Sequence, residues 1–200
     1  LVRMKCEGFK VDGLPSSPDR LAQMIQSQGA VFGTYAEGAF DRFMETGHPE
    51  LIDKEQYDEW VKRAIRPERY AEVVDAFGEF PGDYMVSKDG RLGVARLQFG
   101  NVVLLPQNAA GKGDNAFKIV HGTDAAPSHT YIASYLWTQF GFKADALVHF
   151  GTHGSLEFTP RKQVALSHND WPDRLVGSLP HFYIYSIANV GEGVIAKRRS

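Results

Sequence analysis

Asn101-Val102-Val103-Leu104-Leu105 and Ala146-Leu147-Val148 are two apolar runs of strand length. A helical pattern lies between them: Ser128 is a suitable N-cap, apolar side chains recur from 132 to 140, and Gly141 is a suitable stop. Two strands that flank one helix predict a β-α-β unit with parallel strands. A third run, Phe182-Tyr183-Ile184-Tyr185, predicts another strand. The sequence therefore predicts an α/β fold with a parallel-containing sheet and flanking helices.

The first 80 residues have a different pattern, typical of helices. Ser17 followed by Pro18 predicts a helix start, with Gly29 as its stop. Asp53 with Gln56 three residues later resembles a capping box, and helical spacing of apolar residues follows it. A further helix is predicted over 68–77, ended by Gly78.

A turn signal at Lys88-Asp89-Gly90 lies between residues 83–86 and 91–98 and predicts a β-hairpin. The predicted organisation is a mainly helical N-terminal portion over 1–80 and an α/β core segment over 81–200. Because the chain begins with Leu1 and residues 196–200 resemble the middle of a helix, we expect a piece of a longer chain.

Composition narrows the classes of protein to consider. Hydrophobic residues make up 43% and charged residues 23%, which is the balance of a globular protein. No apolar run reaches the roughly 18–20 residues that span a bilayer, so no membrane span is expected. A net charge of −2 gives no reason to expect nucleic acid as a partner. The single cysteine, Cys6, excludes an internal disulfide and fits a cytoplasmic location.

Two loops follow predicted strands and therefore lie where α/β sheets bind ligands. The first covers 106–115 and includes Gln107; the second covers 149–157. His149, His153 and Glu157 in the second loop carry the side chains of a metal or acid–base site. Phe150 stands where the zinc-protease motif needs Glu, so that motif is absent.

Structural roles are the alternative for several of these residues. A histidine at a strand end is often a hydrogen-bonded structural residue, and the aromatic series from Tyr131 to Phe140 is typical of core packing. His129 differs from the remaining histidines because it begins a helix that should open onto the same sheet edge.

A family resemblance covers about half of the chain, from residue 95 to residue 200. The run 149–158, His-Phe-Gly-Thr-His-Gly-Ser-Leu-Glu-Phe, with Pro160 and Lys162-Gln163, resembles the signature of the cobaltochelatase and magnesium-chelatase large subunits. Thr152 and Phe158 are similar to the magnesium type, whereas Pro180-His181 is similar to the cobalt type. Arg161 departs from the glycine of both types, which puts a standard insertion role in doubt.

The resemblance implies a set of roles in metal–tetrapyrrole chemistry. Glu157 would transfer protons, and His149, His153 and Glu157 would be the ligands of the metal. His129 would be a second base or axial contact. Substrate-binding residues would be His129, Gln107, Lys162 and Arg198, with the last two pairing with ring carboxylates.

The same resemblance implies cofactors and partners. The divalent metal (cobalt, magnesium or iron) would be a substrate, and ATP would be bound by AAA+ ATPase partner subunits rather than by this chain. The expected activity is that of a chelatase of the ligase class, with the isolated segment inactive. Two alternatives stay open: a haem dechelatase that removes iron, and a non-catalytic tetrapyrrole carrier or sensor.

Overall fold

The computed structural model describes residues 1–28, 39–83, 85–107, 126–151, 156, 159 and 166–185. Among these residues the helices are α1 Val2–Cys6, α2 Pro18–Gln28, α3 Ala39–Thr46, α4 Lys54–Ala64, α5 Pro67–Phe77, α6 His129–Leu136 and α7 Trp171–Val176. A π-helical turn, Trp137–Gly141, extends α6. The strands are β1 Glu50–Ile52, β2 Leu92–Val94, β3 Leu97–Phe99, β4 Val102–Leu104, β5 Leu147–Gly151 and β6 His181–Tyr185.

The helix starts predicted at Ser17, Asp53 and Ser128 are confirmed, and each of the three is capped by a side chain. The helix predicted over 68–77 begins at Pro67 without a side-chain cap. The Ser17 hydroxyl accepts a hydrogen bond from the Arg20 amide at 3.1 Å. The Asp53 carboxylate accepts one from the Gln56 amide at 2.8 Å, and Ser128 caps α6 in the same way. Side-chain oxygens at these positions satisfy amides that have no partner within the helix. The predicted stop at Gly29 lies outside the described residues.

The α/β class is confirmed, with one parallel strand pair in the described part of the chain. β5 and β6 pair in parallel, and α7 lies between them in sequence. β1 pairs with β2 and β3 with β4, both antiparallel. The short strand β1 was not predicted.

The prediction that the 101–105 and 146–148 runs are parallel neighbours is wrong. β4 pairs instead with β3 through a tight turn at Gly100, whose φ of 64° suits glycine. Such a local pair closes a very short loop and therefore costs little chain entropy. The β-α-β unit is shifted along the chain to β5, α7 and β6. The loop predicted over 149–157 begins later than expected, because residues 149–151 continue β5. The rest of that loop apart from Leu156, and residues 108–115 of the loop predicted over 106–115, lie outside the described residues.

The predicted turn at residues 88–90 is confirmed, but its arms are shorter than expected. The Ser87 amide donates to the Arg91 carbonyl at 2.8 Å, and Val86 bridges Leu92. The 91–98 run then divides into β2 and β3, and Arg96 between them donates to the Glu50 carboxylate at 2.7 Å. That ion pair fixes the end of β2 beside β1.

The main hydrophobic core joins residues from both sides of position 80. Tyr57 and Trp60 of α4 belong to the same buried cluster as Leu136 of α6 and Trp171 of α7. α6 is buried on nearly all sides rather than along one stripe, so it is the central helix of the described structure. None of the helices in the described residues is long and apolar enough to cross a membrane.

Candidate functional site

The parallel pair β5–β6 places aromatic and imidazole side chains on one face. Leu147 pairs with His181 and His149 with Tyr183, so the two histidines are diagonal neighbours on adjacent strands. Side chains alternate between faces along a strand. His149, His181 and Tyr183 are half-buried, whereas Phe150 on the opposite face is 77% exposed. The inward face of this pair is therefore the histidine face.

His149 has hydrogen-bond partners at both ring nitrogens. Its Nδ1 lies 2.9 Å from His181 Nε2, and its Nε2 lies 3.1 Å from the Tyr135 hydroxyl of α6. The two imidazole rings meet edge to face, with centroids 4.7 Å apart. The Tyr135 hydroxyl is also 3.5 Å from the Tyr131 hydroxyl. Polar groups thus form a chain from β6 through β5 into the central helix.

Burial, and to a smaller extent the neighbouring His181, lowers the pKa of His149 to about 4. The imidazole is therefore neutral at neutral pH. A neutral imidazole has one donor and one acceptor nitrogen. Because the Tyr135 hydroxyl can donate or accept, both tautomers of His149 are compatible with its contacts.

His129 lies in an aromatic pocket at the start of α6. Its Nδ1 is 3.1 Å from the Tyr57 hydroxyl and its Nε2 is 2.9 Å from the Gly78 carbonyl. The rings of Tyr57, Tyr70 and Phe80 surround it, and burial lowers its pKa. With both nitrogens engaged, a contact to substrate at His129 would require one of these hydrogen bonds to break.

The other predicted site residues are described less fully. Gln107 is exposed and follows β4. His153, Glu157, Lys162 and Arg198 lie outside the described residues, as does Arg161. In the described part of the chain, no group of three or more His, Cys, Asp or Glu side chains forms a metal cluster. His149 is thus the predicted metal-side residue whose surroundings the structure gives.

Sequence reasoning missed His181, Tyr135 and Tyr183 as neighbours of His149. Tyr135 was interpreted as core packing, and it is buried, but its hydroxyl reaches the imidazole. His181 precedes the apolar run that predicted β6, and period-two alternation puts it on the same face as Tyr183. That alternation was a usable signal, but it could identify a partner for His149 only once the strand pairing was known.

Comparisons with known proteins agree with this architecture. A model of the CobN/Magnesium Chelatase family matches residues 1–200. The chain belongs to this family. It is 35% identical over 201 residues to a magnesium-chelatase subunit of Chlorobaculum parvum, with 100% of this chain covered. It is 34% identical over 201 residues to the aerobic cobaltochelatase CobN subunit of Pseudomonas aeruginosa, with 98% of this chain covered.

The fold of this family member is also that of a solved relative. The structure matches the catalytic subunit of cobaltochelatase from Mycobacterium tuberculosis with a TM-score of 0.76 and 31% identity, over 98% of this chain and 16% of that chain. The chain spans 15% of the Chlorobaculum relative and 15% of the Pseudomonas relative. It therefore corresponds to about one sixth of these large chelatase subunits.

Proposed function

We propose that this chain forms part of the tetrapyrrole site in the large subunit of a metal chelatase, where a divalent metal is inserted into a porphyrin- or corrin-type ring. The observation that carries the proposal is the half-buried histidine face of β5–β6 in a chain of this family. Relatives named as magnesium- and cobalt-chelatase subunits support the reaction class.

Insertion of a divalent ion releases two protons from the pyrrole nitrogens, and the ion loses bound water. Glu157 is the proposed proton acceptor, and His149, His153 and Glu157 are the proposed metal-side residues. His129 is the proposed second base or axial contact, and Gln107, Lys162 and Arg198 are the proposed contacts to the ring periphery. A carboxylate or imidazole whose pKa is tuned toward neutrality suits the proton transfer.

In this proposal AAA+ ATPase partner subunits hydrolyse ATP. The reaction takes place in the cytoplasm. The part of this chain that the structure describes would then bind and orient the substrates. Tyr135 supports this role, because its hydroxyl holds the His149 ring in one orientation at 3.1 Å.

Removal of iron from haem is the second candidate. It is the reverse reaction, takes up two protons and frees iron(II). The imidazoles at His149 and His181 suit its metal, because imidazole nitrogen binds iron well, as it binds cobalt, whereas magnesium prefers oxygen.

A visible-absorbance titration of the intact protein with metal-free porphyrin, metal-free corrin and haem tests the proposal. We expect tight binding of a metal-free ring and metal insertion once the ATPase subunits are added. The Glu157→Gln variant should bind the ring as before and lose turnover. Glu55→Gln, on the exposed face of α4, is the matched control and should retain both.

Each other outcome has a definite meaning. Preferred binding of haem, with loss of its iron under reducing conditions, would support the dechelatase. Ring binding without turnover in the complete assembly would indicate a carrier. Absence of binding to all three rings would overturn the tetrapyrrole proposal.

A further inference from the structure

The two imidazoles of His149 and His181 are arranged for a shared ligand. They lie on adjacent parallel strands, on one face, with Nδ1 of His149 2.9 Å from Nε2 of His181. Metal–imidazole bonds are about 2.0–2.1 Å long. Two nitrogens on one ion are therefore about 3.0 Å apart at a right angle and about 3.4 Å apart at a tetrahedral angle. If the two nitrogens move apart by about half an ångström or less and the rings rotate, both nitrogens can bind one ion.

The proton between the two nitrogens can be relocated without leaving the site. If His149 Nδ1 donates it, the proton moves to Nε2 of the same ring, where the Tyr135 hydroxyl at 3.1 Å accepts the new hydrogen bond. Two metal–nitrogen bonds then form and one hydrogen bond is lost. The exchange needs no other reactant, since the proton only changes nitrogen and each imidazole then offers a lone pair to the ion.

Donor chemistry selects the class of ion. Imidazole nitrogen suits cobalt, iron, nickel and zinc, whereas magnesium keeps its water and prefers carboxylate oxygen. Structural metal sites are closed by four protein ligands. The imidazoles of His149 and His181 fill two positions on the ion, and the remaining positions are open to water, to the other proposed metal-side residues or to the nitrogens of an incoming ring, as a transferable substrate requires.

We propose that His149 Nδ1 and His181 Nε2 form a two-imidazole docking site that captures a transition-metal ion of the cobalt and iron class for delivery to the ring. The inference rests on the proposed function, because that function makes the ion a substrate. It adds His181 to the site and gives the chain a preference against magnesium.

Titration of the intact protein with Co²⁺ in the absence of any tetrapyrrole tests this site. The visible absorbance of bound Co²⁺ gives the affinity, and X-ray absorption gives the number of imidazole ligands. We expect at least two imidazole ligands in the native protein, those of His149 and His181, with His153 of the proposed metal set as a third, and no displacement of Co²⁺ by an excess of Mg²⁺. His149→Ala and His181→Ala should each weaken Co²⁺ binding about tenfold or more. His168→Ala, in an exposed turn, is the matched control and should not change it.

Unchanged Co²⁺ affinity in both alanine variants, or a native spectrum without imidazole scattering, would overturn the docking site. If an alanine variant fails to fold, His149→Gln and His181→Gln, which keep hydrogen-bonding groups in place, decide the question in the same Co²⁺ titration. Ring binding is read separately, from the porphyrin absorbance band. A protein that binds the ring but not Co²⁺ through this pair would contradict the docking site alone, whereas a protein that binds no ring would contradict the proposed function.

Discussion

The hydroxyls of Tyr57 and Tyr70, both beside His129, differ in whether they have a hydrogen-bond partner. The Tyr57 hydroxyl lies 3.1 Å from His129 Nδ1, whereas the buried Tyr70 hydroxyl has no hydrogen-bond partner among the described residues. Burial raises the pKa of both phenols, that of Tyr70 to about 12, so both stay neutral. On folding, both hydroxyls lose their hydrogen bonds to water, but of the two only the Tyr57 hydroxyl gains a hydrogen bond to the imidazole.

Tyr57→Phe should therefore lower the free energy of unfolding by about 1–3 kcal/mol, because it leaves a buried imidazole nitrogen without its partner. Tyr70→Phe should leave the free energy unchanged or raise it slightly, since the hydroxyl it removes makes no compensating bond. Denaturant unfolding of the two variants measures both. Equal losses in the two variants would contradict the assigned contact.

Acid should destabilise the fold through His129. Burial is the largest cause of its lowered pKa; Lys54 acts in the same direction, while the Gly78 carbonyl and Glu79 oppose it. Above about pH 6.5 the histidine is neutral in both the folded and the unfolded chain. As the pH falls below that value, the unfolded chain binds the proton first, so the free energy of unfolding falls.

Unfolding measured between about pH 7.5 and pH 5, on either side of the ordinary histidine pKa, should show a shallower pH dependence in His129→Gln than in the parent protein. Glutamine keeps hydrogen-bonding groups at the site but does not titrate. A slope in His129→Gln equal to that of the parent would show that other groups cause the acid sensitivity.

At the scale of elements, helix starts could be predicted because their signals are local. Asp53 lies three residues before the amide it caps, at 2.8 Å, and both residues are read from one short stretch of sequence. Gly78 likewise ends α5 with a φ of 76°, a conformation that glycine adopts readily. Such contacts do not depend on the rest of the fold.

Asp53→Ala should lower the free energy of unfolding by about 1 kcal/mol, because the amide at the start of α4 loses its acceptor. Asp53→Asn is the matched control: asparagine caps as well as aspartate, so its loss should be small. Thermal unfolding of the two variants measures the difference. A loss in the asparagine variant as large as in the alanine variant would assign the effect to charge instead of capping.

Strand pairing could not be predicted in the same way, because each apolar run offers several partners. β4 was expected beside β5, yet it pairs with β3, and β5 pairs with β6 more than thirty residues away. Long-range pairing depends on which faces the core buries, and a short apolar run does not specify that.

In the candidate site too, the residue that could be predicted has a signal that is local in the sequence, and the residues that were missed depend on long-range contacts. His149 was found because the unusual composition of residues 149–157 is local, although the structure places it in β5 and not in the predicted loop. His181 was missed, because its position 2.9 Å from His149 depends on the β5–β6 register. Tyr135 was assigned to packing, and its burial agrees with that, but the direction of its hydroxyl depends on how α6 lies against β5.

At the scale of the whole molecule, the shared core should couple the helical portion to the α/β portion. Leu136 of α6 is fully buried in the cluster that contains Tyr57 and Trp60 of α4. Leu136→Ala should cost about 2–5 kcal/mol through the lost contacts and the cavity it leaves. Because α4 and α6 line the same core, that loss should reach residues on both sides of position 80.

Hydrogen–deuterium exchange of the intact protein measures this coupling peptide by peptide. In Leu136→Ala we expect amide protection to fall in α4 as well as in α6, since local opening energies are shared within a cooperative unit. Val148→Ala is the control, because Val148 is 49% exposed on the outer face of β5 and its truncation removes little packing. Loss of protection confined to α6 would mean that the residues before and after position 80 unfold as separate units, each with its own stability, despite the side chains they bury together.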